Sequence, residues 1–367
     1  MPYREEYGTF KLIIKSIPKM KKQSFIFFIM VITMMSCDKC KETEPPLEGK
    51  DYSTGIWFIN EGAFNGNNAS IDVRMTNGEI IRDVFQAVNG FPLGDVLQRV
   101  VVQDGIGYAV MNNSNKVVVF NAKTFALIRE IDGLDYPRDL VVVNGKIFIA
   151  QGAMQGKVAQ YTSTGQWINE VEVGNGPERL LYAQNRIWVL NSGGWLTDNR
   201  VQTIDPSTMT VDHTWTIGDR PIDVEYEPTE GAVFVLSGGE IQYDANWNII
   251  GHTSASLSKF VDFNMPISVN VGEVGEHPRS FAINSQNNTL LLANTHLDVF
   301  ESNLGLVCAD CILGDFYSVD ADDNGQAYLS LIPDFTNASE IEQYRLSDYS
   351  FVREFEGGIG TNQVVLP

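Results

Sequence analysis

A unit of about forty residues recurs along most of this 367-residue chain. One copy reads YPRDLVVVNGKIFIAQ from Tyr136, and the next reads PERLLYAQNRIWVLN from Pro177. Successive copies are 40, 40, 44, 57 and 38 residues apart. Their leading residues are Leu97, Pro137, Pro177, Pro221, Pro278 and Phe316. A period in this range is typical of solenoids and propellers, in which each repeat is one small structural unit.

Each copy predicts four short β-strands. The first strand is apolar (LVVV), the second alternates (KIFIA), the third carries an aromatic residue or Ile, and the fourth is amphipathic. Tight turns such as Asn144-Gly145 and Asp104-Gly105 join the first two strands, because both pairs favour a two-residue hairpin turn. Four short strands in each forty-odd residues are typical of β-propeller blades, so the sequence predicts an all-β fold.

The two ends of the repeat region predict how the propeller closes. Six copies run from 97 to 357, and residues 55–85 supply the second, third and fourth strands of a further blade. The missing first strand matches the apolar segment Gln363–Leu366 at the other end of the chain. Shared strands remove free sheet edges, which invite aggregation. We therefore predict a seven-bladed propeller over 55–367; six or eight blades would follow if the 57-residue unit from Pro221 were misinterpreted.

The first 54 residues predict an export signal followed by a polar tether. Met20-Lys21-Lys22 precedes the apolar run FIFFIMVITMM, which has the length of a signal-peptide core and is too short to span a bilayer. The run ends in Met-Met-Ser-Cys37, which resembles the lipobox of bacterial lipoproteins and implies that Cys37 is acylated. A plain cleaved signal peptide is the alternative. We predict a start-codon extension over 1–19, a lipoprotein signal peptide over 20–36 and a polar tether over 37–54.

The overall charge limits the class of partner. Formal net charge is −20 and the isoelectric point is about 4.5. Such a surface repels the phosphate backbone, so nucleic acid is excluded as a partner.

The segment Asn60-Glu61-Gly62-Ala63-Phe64 carries a family resemblance. With the blade pattern, this N-E-G-x-F motif resembles YncE-like seven-bladed propellers, and in particular propeller lipoproteins of Gram-negative envelopes. The resemblance implies an outer-membrane lipoprotein at the cell surface or the periplasmic face. It also implies capture of a small nutrient (cobalamin-, siderophore- or haem-like) for a TonB-dependent transporter.

Long loops between the second and third strands predict a ligand face. Those loops lie on the side of a propeller where each first strand begins, and here they are longer than the turns of the opposite side. These loops carry the large apolar residues Phe64, Met154, Trp195 and Phe335. Apolar residues around a polar channel are a common ligand-site design. The alternative is that each of them packs on its own blade.

Arginines at the starts of first strands predict an anion-binding channel mouth. Aligning the copies brings Arg138, Arg179 and Arg279 to this level, and an arginine fork suits carboxylate or phosphate groups. Internal pairing with acidic residues of adjacent blades is the alternative.

The cysteine pair and the calcium-loop-like segment predict structural features rather than a metal or redox site. Cys308 and Cys311 form a C-x-x-C pair without the further ligands of a zinc site, so we predict a structural disulfide in an oxidising envelope. Asp320–Gly325 resembles the start of a calcium loop but lacks its final carboxylate, which favours a plain turn. No cofactor and no resident metal is predicted, and no catalytic motif is visible.

The sequence therefore favours a binding protein over an enzyme. Two alternatives remain open: a surface interaction scaffold, and a lactonase-type propeller hydrolase whose channel metal would be held by residues such as Glu61 and Asp223.

We predict that Cys37→Ser abolishes membrane attachment. Loss of the acylated thiol removes the buried methylene groups that anchor a lipoprotein. The protein should either leave the membrane fraction or accumulate as an unprocessed precursor, as read by fractionation and metabolic acyl labelling. Cys40→Ser, three residues along the chain, is the matched control and should leave both readouts unchanged. Acyl labelling that persists in Cys37→Ser would show that Cys37 is not the anchor.

Overall fold

The computed structural model describes residues 49–367. The start-codon extension, the signal peptide, Cys37 and most of the tether lie outside the described residues, so these stay predictions. Among the described residues, no helix is both long and apolar enough to cross a membrane.

The predicted seven-bladed β-propeller is confirmed: seven four-stranded antiparallel sheets are present. Blade 1 contains β1 (Ile56–Asn60), β2 (Ser70–Arg74) and β3 (Ile80–Ile81), with its innermost strand supplied by the C-terminus. Blade 2 contains β4 (Leu97–Gln103), β5 (Ile106–Met111), β6 (Lys116–Asn121) and β7 (Leu127–Ile131). Blade 3 contains β8 (Asp139–Val143), β9 (Lys146–Gln151), β10 (Lys157–Thr162) and β11 (Trp167–Glu172). Blade 4 contains β12 (Pro177–Ala183), β13 (Arg186–Asn191), β14 (Arg200–Asp205) and β15 (Thr210–Thr216).

The remaining blades complete the ring. Blade 5 contains β16 (Pro221–Glu227), β17 (Ala232–Ser237), β20 (Ala255–Val261) and β21 (Ile267–Val271), and it carries the inserted strands β18 (Ile241–Tyr243) and β19 (Ile249–His252). Blade 6 contains β22 (Ser280–Asn284), β23 (Thr289–Ala293), β24 (His296–Phe300) and β25 (Leu306–Leu313). Blade 7 contains β26 (Ser318–Ala321), β27 (Gln326–Leu331), β28 (Ala338–Arg345) and β29 (Ser350–Ile359). The closing strand β30 is Thr361–Val365. A short helical segment, Tyr52–Thr54, precedes β1, and α1 (Val84–Asn89) connects blade 1 to blade 2.

The 57-residue unit differs from its expected layout. In the frame of the other copies, residues 239–250 (GEIQYDANWNII) would supply the third and fourth strands of this blade, and the structure shows that this interpretation is wrong. Residues 241–252 instead form a separate two-stranded hairpin between β17 and the true third strand β20. The blade count stays at seven because the hairpin is an insertion in one loop.

The core consists of seven apolar clusters, one at each interface between neighbouring blades. The second strand of a blade contributes side chains to both of the clusters that flank it. In β17, Val233 and Val235 pack toward blade 4, while Phe234 and Leu236 pack toward blade 6. Successive side chains of a strand point to opposite faces, and here both faces are covered by another blade. This is why the central strands are apolar throughout.

The closing blade joins the two ends of the described chain as the sequence predicts. Strand β30 pairs antiparallel with β1, with Phe58 opposite Val364. The fully buried Asn60 fixes this joint, since its Oδ1 accepts hydrogen bonds from Thr361 Oγ1 (2.6 Å) and Gly358 N (2.9 Å). The first residue of the N-E-G-x-F motif therefore connects β1 to the C-terminal segment.

The folded unit begins before the predicted boundary at residue 55. Tyr52 is buried, and its ring makes an edge contact with Phe125 at a centroid distance of 5.4 Å. Its backbone N–H donates to the carbonyl of Lys123 (2.9 Å), and its carbonyl accepts from the indole of Trp57 (2.8 Å). Residues 52–54 therefore belong to the propeller rather than to the tether.

Deleting residues 363–367 should destabilise the whole ring. The deletion removes Gln363, Val364 and Val365 from β30 and leaves β1 as an unpaired inner edge. We expect a loss of more than about 3 kcal/mol in the free energy of unfolding, together with aggregation, because a buried strand and its hydrogen bonds are removed. The control deletion of 366–367 removes only exposed residues beyond β30 and should melt like the intact chain. Equal melting temperatures for both deletions, measured by differential scanning calorimetry, would rule out this closure.

Candidate functional site

The central channel is lined by the first strands of the blades and opens on the side where those strands begin. Its mouth holds a cavity of about 490 Å³, the channel cavity, whose wall includes five arginines and five carboxylates. The arginines are Arg99, Arg138, Arg179, Arg220 and Arg279, and the carboxylates are Glu61, Glu178, Asp223, Glu225 and Asp320. The repeat predicts Arg138, Arg179 and Arg279 at this level, and all three line the cavity.

Side chains of the first strands join neighbouring blades around the channel. Each first strand is the inner edge of its sheet, so some of its N–H groups have no strand partner and must bond elsewhere. Asp139 Oδ2 accepts from Leu180 N (2.9 Å), and Asp320 Oδ2 accepts from Val364 N (2.7 Å). Two more such links are Asp223 Oδ2 with Phe281 N (3.1 Å) and Gln363 Oε1 with Val100 N (3.0 Å). We call these four contacts the inter-blade clasps.

Two of the predicted arginines pair internally, as the alternative interpretation allowed. Arg138 donates from Nε to Glu178 Oε2 (2.9 Å) and from Nη1 to Gln98 Oε1 (2.9 Å). Arg179 lies beside Asp223, with Nε 3.6 Å from Oδ1. These contacts cross from one blade to the next, so both arginines stabilise the ring as well as lining the channel.

The other arginines at the mouth are available to a ligand. Within residues 49–367, the guanidinium groups of Arg220 and Arg279 form no ion pair and no side-chain hydrogen bond; Arg279 lies over the ring of Tyr317, 5.6 Å from its centroid. Among the described residues, three polar atoms of the same wall also have no hydrogen-bond partner: the hydroxyl of the buried Ser318, Oδ1 of Asn362 and Nε of Arg179. Unsatisfied polar atoms in a cavity are suited to a polar ligand or to water.

Burial alters the charge of the channel carboxylates. Desolvation, reinforced by the nearby Asp223, raises the pKa of Glu225 to about 8. Desolvation also raises the pKa of Asp320 to about 7, although the N–H of Val364 opposes it. At Glu178, burial alone would raise the pKa, but Arg138 and Arg179 outweigh it and the pKa is lowered. Glu225 is therefore largely protonated at neutral pH, which leaves the five arginines in excess over ionised carboxylates.

Next to the channel cavity lies a second cavity of about 390 Å³, the rim cavity. Phe64 and Trp195 both line it and are 70% and 66% exposed. Tyr136 also lines this cavity and makes an edge contact with Trp195 at a centroid distance of 5.2 Å. Arg138 and Arg220 line both cavities, so the two form one continuous mouth with a cationic interior and an aromatic rim.

The other predicted rim residues lie apart from this cavity. Phe335 is on the blade 7 side, where it contacts the ring of Tyr317 at 5.9 Å. Met154 is exposed and lines neither cavity. Of the four predicted apolar residues, only Phe64 and Trp195 therefore line the rim cavity together.

Several mouth residues were missed by the sequence analysis. Arg220 and Tyr136 directly precede the leading residues of their copies, Pro221 and Pro137, and both adopt left-handed backbone, with φ of 54° and 46°. This position lies before the leading residue of each copy, so the aligned part of the repeat does not include it. Val96 and Gly176 adopt the same conformation before β4 and β12, whereas His277 and Asp315 of blades 6 and 7 do not, so this left-handed position is shared by blades 2 to 5.

Glu61 and Asp223, the residues considered for a channel metal, have other partners. Glu61 Oε1 accepts from the hydroxyl of Tyr317 (2.9 Å) and from Asn362 Nδ2 (3.2 Å). Asp223 forms an inter-blade clasp and lies beside Arg179. In the part of the chain that the structure describes, the three-residue cluster with metal-ligand spacing is His296, Asp298 and Asp310, on the outer strands of blade 6. Cys308 and Cys311 lie in the same outer strand, β25, and are joined in the structure by a disulfide.

Comparison with known proteins places this chain in a family. A family described as a domain of unknown function (DUF5074) matches residues 54–303, about two thirds of the chain. The chain belongs to the DUF5074 family. The match runs from the start of blade 1 into blade 6, and no curated protein matches this DUF5074 chain.

Solved structures show similarity in fold. Hydrazine synthase of Kuenenia stuttgartiensis is 12% identical with a TM-score of 0.57, over 79% of this DUF5074 chain and 90% of that one. The computationally designed Ika8 protein is 11% identical with a TM-score of 0.53, over 85% and 92% of the two chains. At such identities the likeness concerns the propeller fold alone.

We predict that Glu225→Gln removes part of the pH dependence of stability. The raised pKa of Glu225 means that its stabilising contribution is present below about pH 4.5 and is lost as pH rises through about 8. The variant should match the wild type near pH 4 and have the higher melting temperature at pH 9. The exposed Glu172→Gln on β11 is the control and should not show this divergence. A constant difference across pH 4–9 would contradict the assignment.

Proposed function

We propose that this DUF5074 protein is a cell-envelope binding protein that captures a small solute with acidic groups at the mouth of its central channel. The observation that carries the proposal is the pair Arg220 and Arg279, two unpaired guanidinium groups on one cavity wall. A cation group concentrated in a concave site attracts anions, even in a chain whose formal net charge is −20.

The aromatic rim supports a solute with a ring-bearing body. Phe64, Tyr136 and Trp195 surround the rim cavity directly beside Arg138 and Arg220. Aromatic side chains supply contact area to planar or ring-bearing ligands, while arginine forks pair with their acidic groups. Cobalamin-, siderophore- and haem-like nutrients share this combination.

The envelope part of the proposal rests on the sequence. Acylation at Cys37 would hold the protein on the outer membrane, and the propeller-lipoprotein resemblance suggests transfer of the captured nutrient to a TonB-dependent transporter. A surface scaffold or a lactonase-type hydrolase would use the same fold. No observation favours hydrolysis over binding, because Glu61 and Asp223 are engaged by protein groups.

We predict that Arg279→Gln and Trp195→Ala each weaken ligand binding by about 1–4 kcal/mol, the range for residues that anchor a buried contact. Calorimetry of the purified chain against cobalamins, haem and ferric siderophores identifies the ligand first. Matched controls are Lys146→Gln, which removes a cation at a turn on the opposite side, and Trp167→Ala, which removes an exposed indole from β11. Both controls should bind like the wild type.

Two outcomes would oppose this function. Binding that survives Arg279→Gln and Trp195→Ala but falls in Lys146→Gln would move the site to the opposite side. No binding of any of these solutes would favour the scaffold.

A further inference from the structure

The inserted hairpin of blade 5 lies at the channel mouth. This segment, residues 241–252, is called here the mouth hairpin, and its two strands pair only with each other. Asp244 organises the tip, since its Oδ1 accepts from Asn246 N (2.8 Å) and Asn248 N (2.9 Å). The hairpin therefore has a defined shape without support from a blade.

The strand register shows which side of the hairpin faces the mouth. Ile241 pairs with His252, and beyond a register shift Tyr243 pairs with Ile249. Directly paired residues share a face, and Ile241 and Tyr243 are two residues apart in one strand, so all four side chains lie on one face, the inner face. Ile241 lines the channel cavity. His252 Nδ1 lies 3.0 Å from Nε2 of His277, which lines the same cavity. The inner face is therefore the one turned toward the channel.

The base of the hairpin is fixed to one of the unpaired arginines. The backbone carbonyl of Arg220 accepts from Gly238 N (2.9 Å), and the hairpin is closed by Thr253 N donating to the carbonyl of Glu240 (2.9 Å). The ring of His277 also contacts this base, with Nδ1 2.8 Å from the carbonyl of Gly238. A ligand bound to the guanidinium of Arg220 would thus lie beside the start of the inner face.

The outer half of the inner face is apolar and uncovered. Tyr243 and Ile249 are 47% and 57% exposed, and both continue the line that begins with the cavity residue Ile241. Since apolar surface continuous with a concave site marks a binding surface, a ligand body fits here better than water.

We propose that the inner face of the mouth hairpin is the apolar wall of the ligand site and that the ligand is amphipathic. Its acidic groups bind Arg220 and Arg279, and its apolar body lies against Tyr243 and Ile249. This inference rests on the proposed function, and it adds the class of ligand and the residues that select it.

Two probes separate the acidic from the apolar half of this site. Citrate carries carboxylates without an apolar body, and 8-anilinonaphthalene-1-sulfonate carries one sulfonate on an aromatic body. Both are titrated into the purified full chain by calorimetry. The double variant Tyr243→Ser/Ile249→Ser removes two partly exposed apolar contacts, so it should weaken the naphthalene probe by about tenfold and leave citrate unchanged. The variant Arg220→Gln/Arg279→Gln should weaken both probes.

A matched control variant and the pattern of outcomes distinguish failure of the hairpin wall from failure of the proposed anion site. Trp167→Ser/Ile267→Ser removes two comparably exposed apolar side chains from outer strands and should leave both affinities unchanged. If the naphthalene probe binds the hairpin variant as tightly as the wild type while the arginine variant loses both probes, the hairpin wall is wrong and the anion site stands. If the arginine variant binds both probes like the wild type, or if neither probe binds the wild type, the proposed function fails and the hairpin wall with it.

Discussion

Each blade of this propeller depends on burial between two neighbours. Residues of the second strands alternate between the two flanking clusters, as Val233 and Phe234 do in β17, so a blade at a free end would expose half of its core. Closure of the ring is therefore the constraint on which the other features depend. The pairing of β1 with β30 and the buried Asn60 satisfy it with residues from both ends of the described chain.

Closure also explains the chemistry of the channel. The first strands are inner sheet edges, and their free N–H groups are bonded by Asp139, Asp223, Asp320 and Gln363 of the preceding blades. Polar side chains are therefore required at these positions for structure alone. Carboxylates brought together in a narrow channel raise one another's pKa and call for compensating arginines, which Arg138 and Arg179 provide. Arg220 and Arg279 lie outside this structural pairing, which is why they identify the ligand site.

The channel mouth combines residues that are fixed between blades with residues that lie on loops. The clasps and the paired arginines are fixed between blades, whereas Phe64, Trp195 and the mouth hairpin lie on loops between second and third strands. A rigid ring with variable loops on one side lets the same fold take different ligands.

The sequence by itself determined the repeat, the seven blades and the shared closing blade, because strand periodicity and turn residues are local properties. It also placed Arg138, Arg179 and Arg279 at the channel mouth, since equivalent positions of a repeat reach equivalent places. Only the tertiary structure decided which arginines are paired, because pairing depends on distances between blades. It likewise separated Phe335 and Met154 from the rim formed by Phe64 and Trp195. The mouth hairpin escaped the sequence analysis because its short alternating strands resemble those of a blade, and only contacts across the ring distinguish an insertion from a blade strand.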